Sequence, residues 1–494
     1  MDHAATPPRW IRWSVFLMIA LGGLALRLPQ LGVRPMHTDE AVNAYIVGQL
    51  LSGEAFSYDP QDRHGPALAA IALPLSRIRG ARTFSDLTEA DLRLSSVLAG
   101  TVTILLFGAA VEMYGFGPCL IAAMLVSCSP LPVYYDRYFI HESLFVAATF
   151  GLILSGWRTC KGNSIMPAAL AGACAALMIT CKETAILHFF ALAAALVFWF
   201  WNSRETRLRD FLRPKSMLVA AVTFLALSLV LLTWFGKNWR ALVSLSRLIP
   251  DLLARAGDEG HQKPFWYYGQ LLNTGWSGGI LLALACIGLA VTIAKRDRSP
   301  FGFLAYYTLL LCITYSLIPY KTPWLTLNLW LPLSLFTARA VELFCCMAAK
   351  RLGNRASIPI LCVMGALAFA LIAHDTWQRV FAHPTDENNP YAYAHTSEDL
   401  LGLPAEISDL ARQNGIASPR IAVIASDPWP LPWYLRRFSQ VGFWQPGQQP
   451  GEADFYITST DVSEQYADRL RSYRPEFFGM RPGVLILLWS PVMK

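Results

Sequence analysis

Met36-His37-Thr38-Asp39-Glu40-Ala41 comes only a few residues after a long apolar run from Trp13 to Leu31. That run is close to the roughly 20 residues a helix needs to cross a bilayer. The two adjacent carboxylates then fall where hydrocarbon gives way to water. Adjacent carboxylates repel, so each tends to bind a cation or to shift its pKa. The plainer alternative is a solvated loop start that anchors a helix end. The positions of the other unusual charges decide between the two.

The chain has 494 residues, 54% of them hydrophobic and 15% charged, which excludes an ordinary soluble globular protein. Eleven apolar runs recur, at about 11–31, 93–113, 116–133, 139–157, 165–181, 184–201, 216–235, 277–294, 300–318, 325–347 and 356–373. The first is too long for a removed signal peptide and lacks a small-residue cleavage site. The net charge of +7 calls for no nucleic-acid partner, because the basic residues cluster in particular loops. With the amino terminus inside, Arg158, Lys161, Arg204, Arg207, Arg209, Arg213, Lys215, Lys295, Arg296, Arg298, Lys350, Arg351 and Arg355 all fall on inner loops. The short outer loops hold Arg137, Lys182 and Lys321, as the positive-inside rule expects. An odd number of spans places 376–494 outside, in a periplasm or its equivalent, with the chain in the inner (plasma) membrane. All ten cysteines lie in or beside the apolar runs, so the tail folds without disulfides, and no Cys/His spacing resembles a zinc site.

Acidic residues and histidines collect on the outer loops. The first such loop, 32–92, is too long for a turn; Ala41 to Leu51 and the stretch from His64-Gly65-Pro66 to Ile78 suit helices lying in the membrane interface. The second is Tyr134-Tyr135-Asp136-Arg137-Tyr138, running on to His141 and Glu142. On a helix, Arg137 faces His141 and Tyr138 faces Glu142, so one rim carries cation, imidazole and carboxylate. The third is Thr180-Cys181-Lys182-Glu183-Thr184, for which snorkelling and local neutralisation are the simpler account. Lys263 precedes Phe265-Trp266-Tyr267-Tyr268, and two prolines fix the turn around Lys321 in Pro319-Tyr320-Lys321-Thr322-Pro323-Trp324. The inner loops hold no Gly-rich phosphate cradle.

After the last run the composition turns soluble. Ser397 to Gln413 has helical spacing, Ile421 to Ala425 and Asp454 to Thr460 read as buried strands, and Ser463 to Ser472 as a polar helix. Asp427-Pro428-Trp429-Pro430-Leu431-Pro432-Trp433-Tyr434 either faces the membrane domain or packs as a rigid loop on its own core. The expected fold is a polytopic α-helical membrane protein of about eleven transmembrane helices. A membrane domain (1–375) carries the interfacial helices of 32–92, and a soluble α/β domain (376–494) follows.

Taken together, these residues resemble the GT-C glycosyltransferases, a superfamily that includes protein O-mannosyltransferases and aminoarabinose transferases. More narrowly, His37-Thr38-Asp39-Glu40-Ala41, Tyr58-Asp59-Pro60, His64-Gly65-Pro66, Lys182-Glu183, Lys321-Thr322-Pro323-Trp324 and Pro390-Tyr391-Ala392-Tyr393-Ala394-His395-Thr396-Ser397 are similar to the flippase-activity-associated membrane proteins. The resemblance covers nearly the whole chain. It implies transfer of a sugar from a polyprenyl-phosphate carrier to a glycan, lipid or protein acceptor on the outer face, with inversion at the anomeric carbon. It also makes Asp39 the acceptor's base or a metal ligand, and Glu40 its companion acid.

The chemistry of the residues agrees. A departing lipid phosphate needs positive charge, from a metal ion or from Arg137, Lys182, Lys263 and Lys321. His64, His141, Glu142 and Glu183 are further candidates for substrate contact, and a carboxylate can serve as the base. Asp39, Glu40 and His64 form a candidate ligand set for Mg²⁺ or Mn²⁺. Two other classes stay open: a lipid-linked sugar flippase or its accessory, and a proton-coupled transporter. Ionisable groups at span ends rather than at midplane disfavour the transporter.

Overall fold

The computed structural model of the protein describes residues 7–59, 63–162, 164–202, 213–257 and 261–492. Pro60, Arg204, Arg207 and Arg209 of the sequence reading lie outside these. The chain divides into two compact units, Met1–Pro29, Ala55–Ile71 and Arg93–Ala382 forming one, and Gln30–Glu54, Ala72–Leu92 and His383–Lys494 the other.

Helices of the first half of the chain are α1 (Arg9–Arg27), α2 (Thr38–Leu51), α3 (Ala67–Ile78), α4 (Glu89–Tyr114), α5 (Phe116–Cys128), α6 (Pro130–Tyr135), α7 (Glu142–Lys161), α8 (Ile165–Cys181) and α9 (Ala185–Asn202). The principal later ones are α10 (Pro214–Leu232), α11 (Gly275–Ala294), α12 (Pro300–Leu317), α13 (Thr326–Thr376) and α14 (Leu403–Gln413). Each of the eleven apolar runs thus holds helix. Among the described residues, seven helical stretches are long and apolar enough to cross a membrane. The runs in α5, α8 and α9 are shorter apolar helices, and α13 carries two runs, its backbone leaving helical geometry at Gly353 (φ 72°). Run 116–133 ends early because Ser129 is extended before Pro130, as a residue preceding proline prefers.

The first unit is a helical bundle whose helices approach closely where a side chain is missing. A Cβ at Gly172 of α8 would lie 2.2 Å from the Ala220 carbonyl of α10, and one at Gly288 of α11 would lie 2.1 Å from the Phe336 carbonyl of α13. Small residues at such crossings let backbones pack where no hydrophobic drive separates helix from lipid. Ser299 caps α12 by accepting from the Phe301 amide, with Pro300 at the first helical position. Arg27 at the end of α1 is fully buried. It donates to Asp136 (2.9 Å) and to the carbonyls of Ser127 and Val126, and Ser143 supplies Asp136 with a second bond of 2.6 Å. A buried pair so completely bonded is far costlier to break than to keep.

The second unit is an α/β domain with a five-stranded sheet ordered β2-β1-β3-β5-β4, where β1 is Arg420–Ile424, β2 Gln440–Trp444, β3 Phe455–Ser459, β4 Tyr473–Arg481 and β5 Val484–Pro491. β1 runs parallel to β2 and β3, while β5 is antiparallel to β3 and β4. The central strands are covered on both faces and therefore read as continuous apolar runs.

Residues 30–54 and 72–92 belong to this unit, although the sequence reading put 32–92 with the membrane domain. The physical reason is Trp433, which is fully buried here. Its indole N–H donates to Glu89 (2.8 Å), its ring meets Phe84 edge-on, and Arg436 lies over it while donating to the Leu87 carbonyl. The 427–436 stretch packs on residues 84–89, which the sequence reading counted with the membrane domain. The ten cysteines are all free thiols.

Candidate active site

The start of α2 is fixed by a reciprocal cap. His37 Nδ1 accepts from the Asp39 amide (3.1 Å), and the Glu40 carboxylate accepts from the His37 amide (3.0 Å). Because Nδ1 accepts, Nε2 carries the hydrogen and donates to the Tyr393 carbonyl at 3.2 Å. The same short segment is held twice more. The Met36 amide donates to the Tyr434 hydroxyl (2.9 Å), and Thr396 donates to the Met36 carbonyl (2.6 Å). His395, edge-on to His37, is buried, and burial with the nearby Arg34 and His37 holds its pKa well below the usual histidine range.

This cap divides the roles of the two carboxylates. Glu40 is fully buried, closes the cap and lies 3.9 Å from Arg34. Asp39 is exposed and its carboxylate has no hydrogen-bond or ion-pair partner among the described residues. It stands in the first turn of the helix, where the unpaired amides favour negative charge.

A second cluster lies in the membrane unit. Glu183 accepts from Tyr58 (3.1 Å) through one oxygen, and its other oxygen lies 2.7 Å from His64 Nδ1. The His141 ring stands edge-on to His64 with centroids 5.0 Å apart. Lys182 is paired with Glu142, both buried. The structure therefore brings His64, His141, Glu142, Lys182 and Glu183 together, from three loops whose paired residues lie 40 to 119 positions apart in sequence. A Cβ at Gly65 would lie 2.0 Å from the Thr180 carbonyl. Backbone cannot yield that distance, so Gly65→Ala is expected to push His64 off Glu183. The expected outcome is a lower melting temperature together with weaker binding of a polyprenyl phosphate; an unaltered melting curve would show the contact to be relieved cheaply.

Lys263 and Lys321 are also adjacent. The Lys263 amide donates to Pro319, the Lys321 amide to His261, and the Lys321 ammonium to the carbonyls of Lys263 (3.3 Å) and Ile318. Lys321 is buried, which lowers its pKa from the usual lysine value. Arg137 differs from expectation. Rather than standing open to a phosphate, it is buried, donates to the carbonyls of Arg27 (3.0 Å) and Pro29 (2.6 Å), and stacks over Phe381. The chain end left by α1 has unpaired carbonyls, and Arg137 satisfies them.

Asp39, Glu40 and His64 are the metal ligands expected from the sequence. Among the described residues no group of three or more His, Cys, Asp or Glu is arranged to hold a metal ion. Glu40 is turned inward on its own cap, and His64 is engaged by Glu183.

Two residues escaped the sequence reading. Tyr58 was assigned no place in a site, although it stands in a quoted motif. His188 of α9 has both ring nitrogens occupied, by the hydroxyls of Tyr315 (2.7 Å) and Tyr307 (2.8 Å); its signal was a lone histidine inside an apolar run.

Comparison with known proteins follows this geometry. Residues 77–234 match the family described as dolichyl-phosphate-mannose-protein mannosyltransferase. No match is found among curated proteins. In structure the chain is similar to ArnT from Cupriavidus metallidurans bound to undecaprenyl phosphate, at 14% identity and TM-score 0.65, covering 97% of this chain and 98% of that one. It is also similar to the oligosaccharyltransferase AglB from Archaeoglobus fulgidus in complex with an inhibitory peptide and a dolichol phosphate, at 12% identity and TM-score 0.57, covering 96% and 74%. The arabinofuranosyltransferase AftD from Mycobacteria matches at 13% identity and TM-score 0.52, covering 100% of this chain and 40% of that one.

Proposed function

We propose, for a chain that has the GT-C glycosyltransferase fold, that it transfers a sugar from a polyprenyl-phosphate carrier to an acceptor hydroxyl. One observation carries the reading: of the Asp-Glu pair, Glu40 is buried as a helix cap while Asp39 is exposed and unpartnered among the described residues. A carboxylate held by the backbone but left open is what a general base requires. Asp39 takes the proton of the acceptor hydroxyl, whose oxygen attacks the anomeric carbon opposite the phosphate. The bond from that carbon to the phosphate oxygen breaks, polyprenyl phosphate leaves, and the configuration inverts. Within the membrane unit, Lys263 and Lys321 are the cations we assign to binding of the carrier's phosphate. The kinship with proteins that bind undecaprenyl or dolichol phosphate supports the choice of carrier.

The test is incubation of purified protein with radiolabelled polyprenyl-phosphate sugars and a cell-envelope acceptor fraction. Labelled acceptor is the expected product. Carrier binding with no labelled product would instead favour a flippase-accessory role.

We place the reaction on the outer face of the inner membrane, with 383–494 in the periplasm, on the strength of the basic loops. A tag inserted at Asn354 is then protected from outside reagents in intact spheroplasts, and one at the carboxyl terminus is accessible. Protection of the carboxyl-terminal tag would overturn this orientation.

A further inference from the structure

The membrane unit carries a half-open cavity of about 480 Å³ among α4, α7, α8, α9, α10 and α12, apart from the residues assigned to transfer. Leu152, Ala171, Phe189, Leu196 and Phe303 make its walls, and polar atoms enter the lining mainly at Thr159, Cys160 and Ser216. Helix interiors pack densely, so an apolar space of this size is costly unless apolar matter fills it. A hydrocarbon chain is the matching occupant.

The surroundings choose among hydrocarbon chains. Trp157 lines the cavity, and the Lys161 ammonium lies over its ring, 5.4 Å from the centroid. Ser216 lines it too, and its neighbour Lys215 is exposed. Arg213 donates to the Gly162 carbonyl in the same place, and Arg158 donates to the Ala109 carbonyl at 2.7 Å. This end therefore offers ammonium groups beside an amphipathic indole, the surroundings of a phosphate headgroup. Cys160 stands 18 residues along α7 from Glu142, about 27 Å at 1.5 Å per residue. The polar end of the cavity thus lies at the opposite end of α7 from the Lys182–Glu142 and His64–Glu183 pairs.

We infer that this cavity binds one acyl chain of an anionic phospholipid, with the headgroup at Lys161 and Lys215. The site is separate from the sugar donor's and does not depend on the reaction assigned above. It predicts that a phosphatidylglycerol molecule travels with the purified protein.

The experiment uses the full chain in detergent, stripped of lipid, with phosphatidylglycerol, phosphatidylcholine or a polyprenyl phosphate added back. Retained lipid is read by native mass spectrometry and melting temperature by intrinsic fluorescence. Phosphatidylglycerol is expected to be retained by wild type at a low molar excess and to raise the melting temperature. Gly156→Leu places a side chain at the cavity wall where a Cβ meets nothing within 4 Å, so the helix tolerates it. It is expected to cut retention at least tenfold. Lys161→Ser/Lys215→Ser is expected to keep chain binding but lose the preference for phosphatidylglycerol over phosphatidylcholine. Equal retention by Gly156→Leu and wild type would overturn the site. Displacement of phosphatidylglycerol by an equal concentration of polyprenyl phosphate would overturn the choice of occupant.

Discussion

Asp39→Asn is expected to lower sugar transfer by roughly a hundredfold to ten-thousandfold, the scale of a lost general base. The substitution keeps the shape of the side chain and removes only its charge. Because the Asp39 carboxylate is exposed and bonded to nothing among the described residues, the new side-chain amide leaves no buried group unsatisfied. The melting temperature should therefore stay within a degree or two, since exposed substitutions of this kind rarely exceed about 0.5 kcal/mol. Glu40→Gln should behave the other way round. Its carboxylate is fully buried, closes the cap and faces Arg34, so it costs stability first and activity only through the loosened helix start. Transfer rates and melting curves of both variants separate the roles. Comparable transfer by wild type and Asp39→Asn would remove Asp39 from the mechanism.

Lys182→Met is expected to destabilise the protein by about 3–5 kcal/mol, the usual cost of leaving one member of a buried ion pair alone. From the sequence Lys182 looks like a rim cation whose loss would weaken carrier binding more than folding. The structure reverses that order, because Lys182 and Glu142 are both buried and face one another. Removing the ammonium strands the Glu142 carboxylate in an apolar place. The double variant Lys182→Met/Glu142→Leu removes both charges and should recover most of the loss, since apolar replacement of a buried pair is often close to neutral. Denaturation in detergent reads both. If Lys182→Met melts like wild type yet binds polyprenyl phosphate more weakly, the lysine is a ligand group and not a structural partner.

What was legible in the sequence depended on how each element is buried. Apolar runs of spanning length were all found, because lipid and bundle interior ask for the same residues all round a helix. β1 and β3 were found for a related reason, being covered on both faces. β2, β4 and β5 were missed. β2 and β4 are the sheet's edges and only partly buried, so neither a continuous apolar run nor a clean alternation marks them. The cap on α2 was missed because histidine is an uncommon N-cap, and the usual signal is Ser, Thr, Asp or Asn. The candidate residues were recognisable as a set, but their roles were not. Arg137 and Glu40 are engaged by partners that only the fold brings near, such as the carbonyl of Pro29 for the first. Tyr58 and Glu183 lie 125 residues apart, a distance no local pattern reports.

The segment carrying Asp39 is gripped by residues made very late. The Met36 amide bonds to Tyr434, 398 positions further along the chain. At synthesis rates of about 5–20 residues per second, some 20–80 seconds separate the emergence of these two residues. Through that interval the first turn of α2 lacks the contacts from Tyr393, Thr396 and Tyr434 that hold it. A ribosome-bound chain stalled before residue 393 would thus own every helix of the bundle and still lack the grip on Asp39. Ordering of that carboxylate becomes an event timed by synthesis of the C-terminal domain.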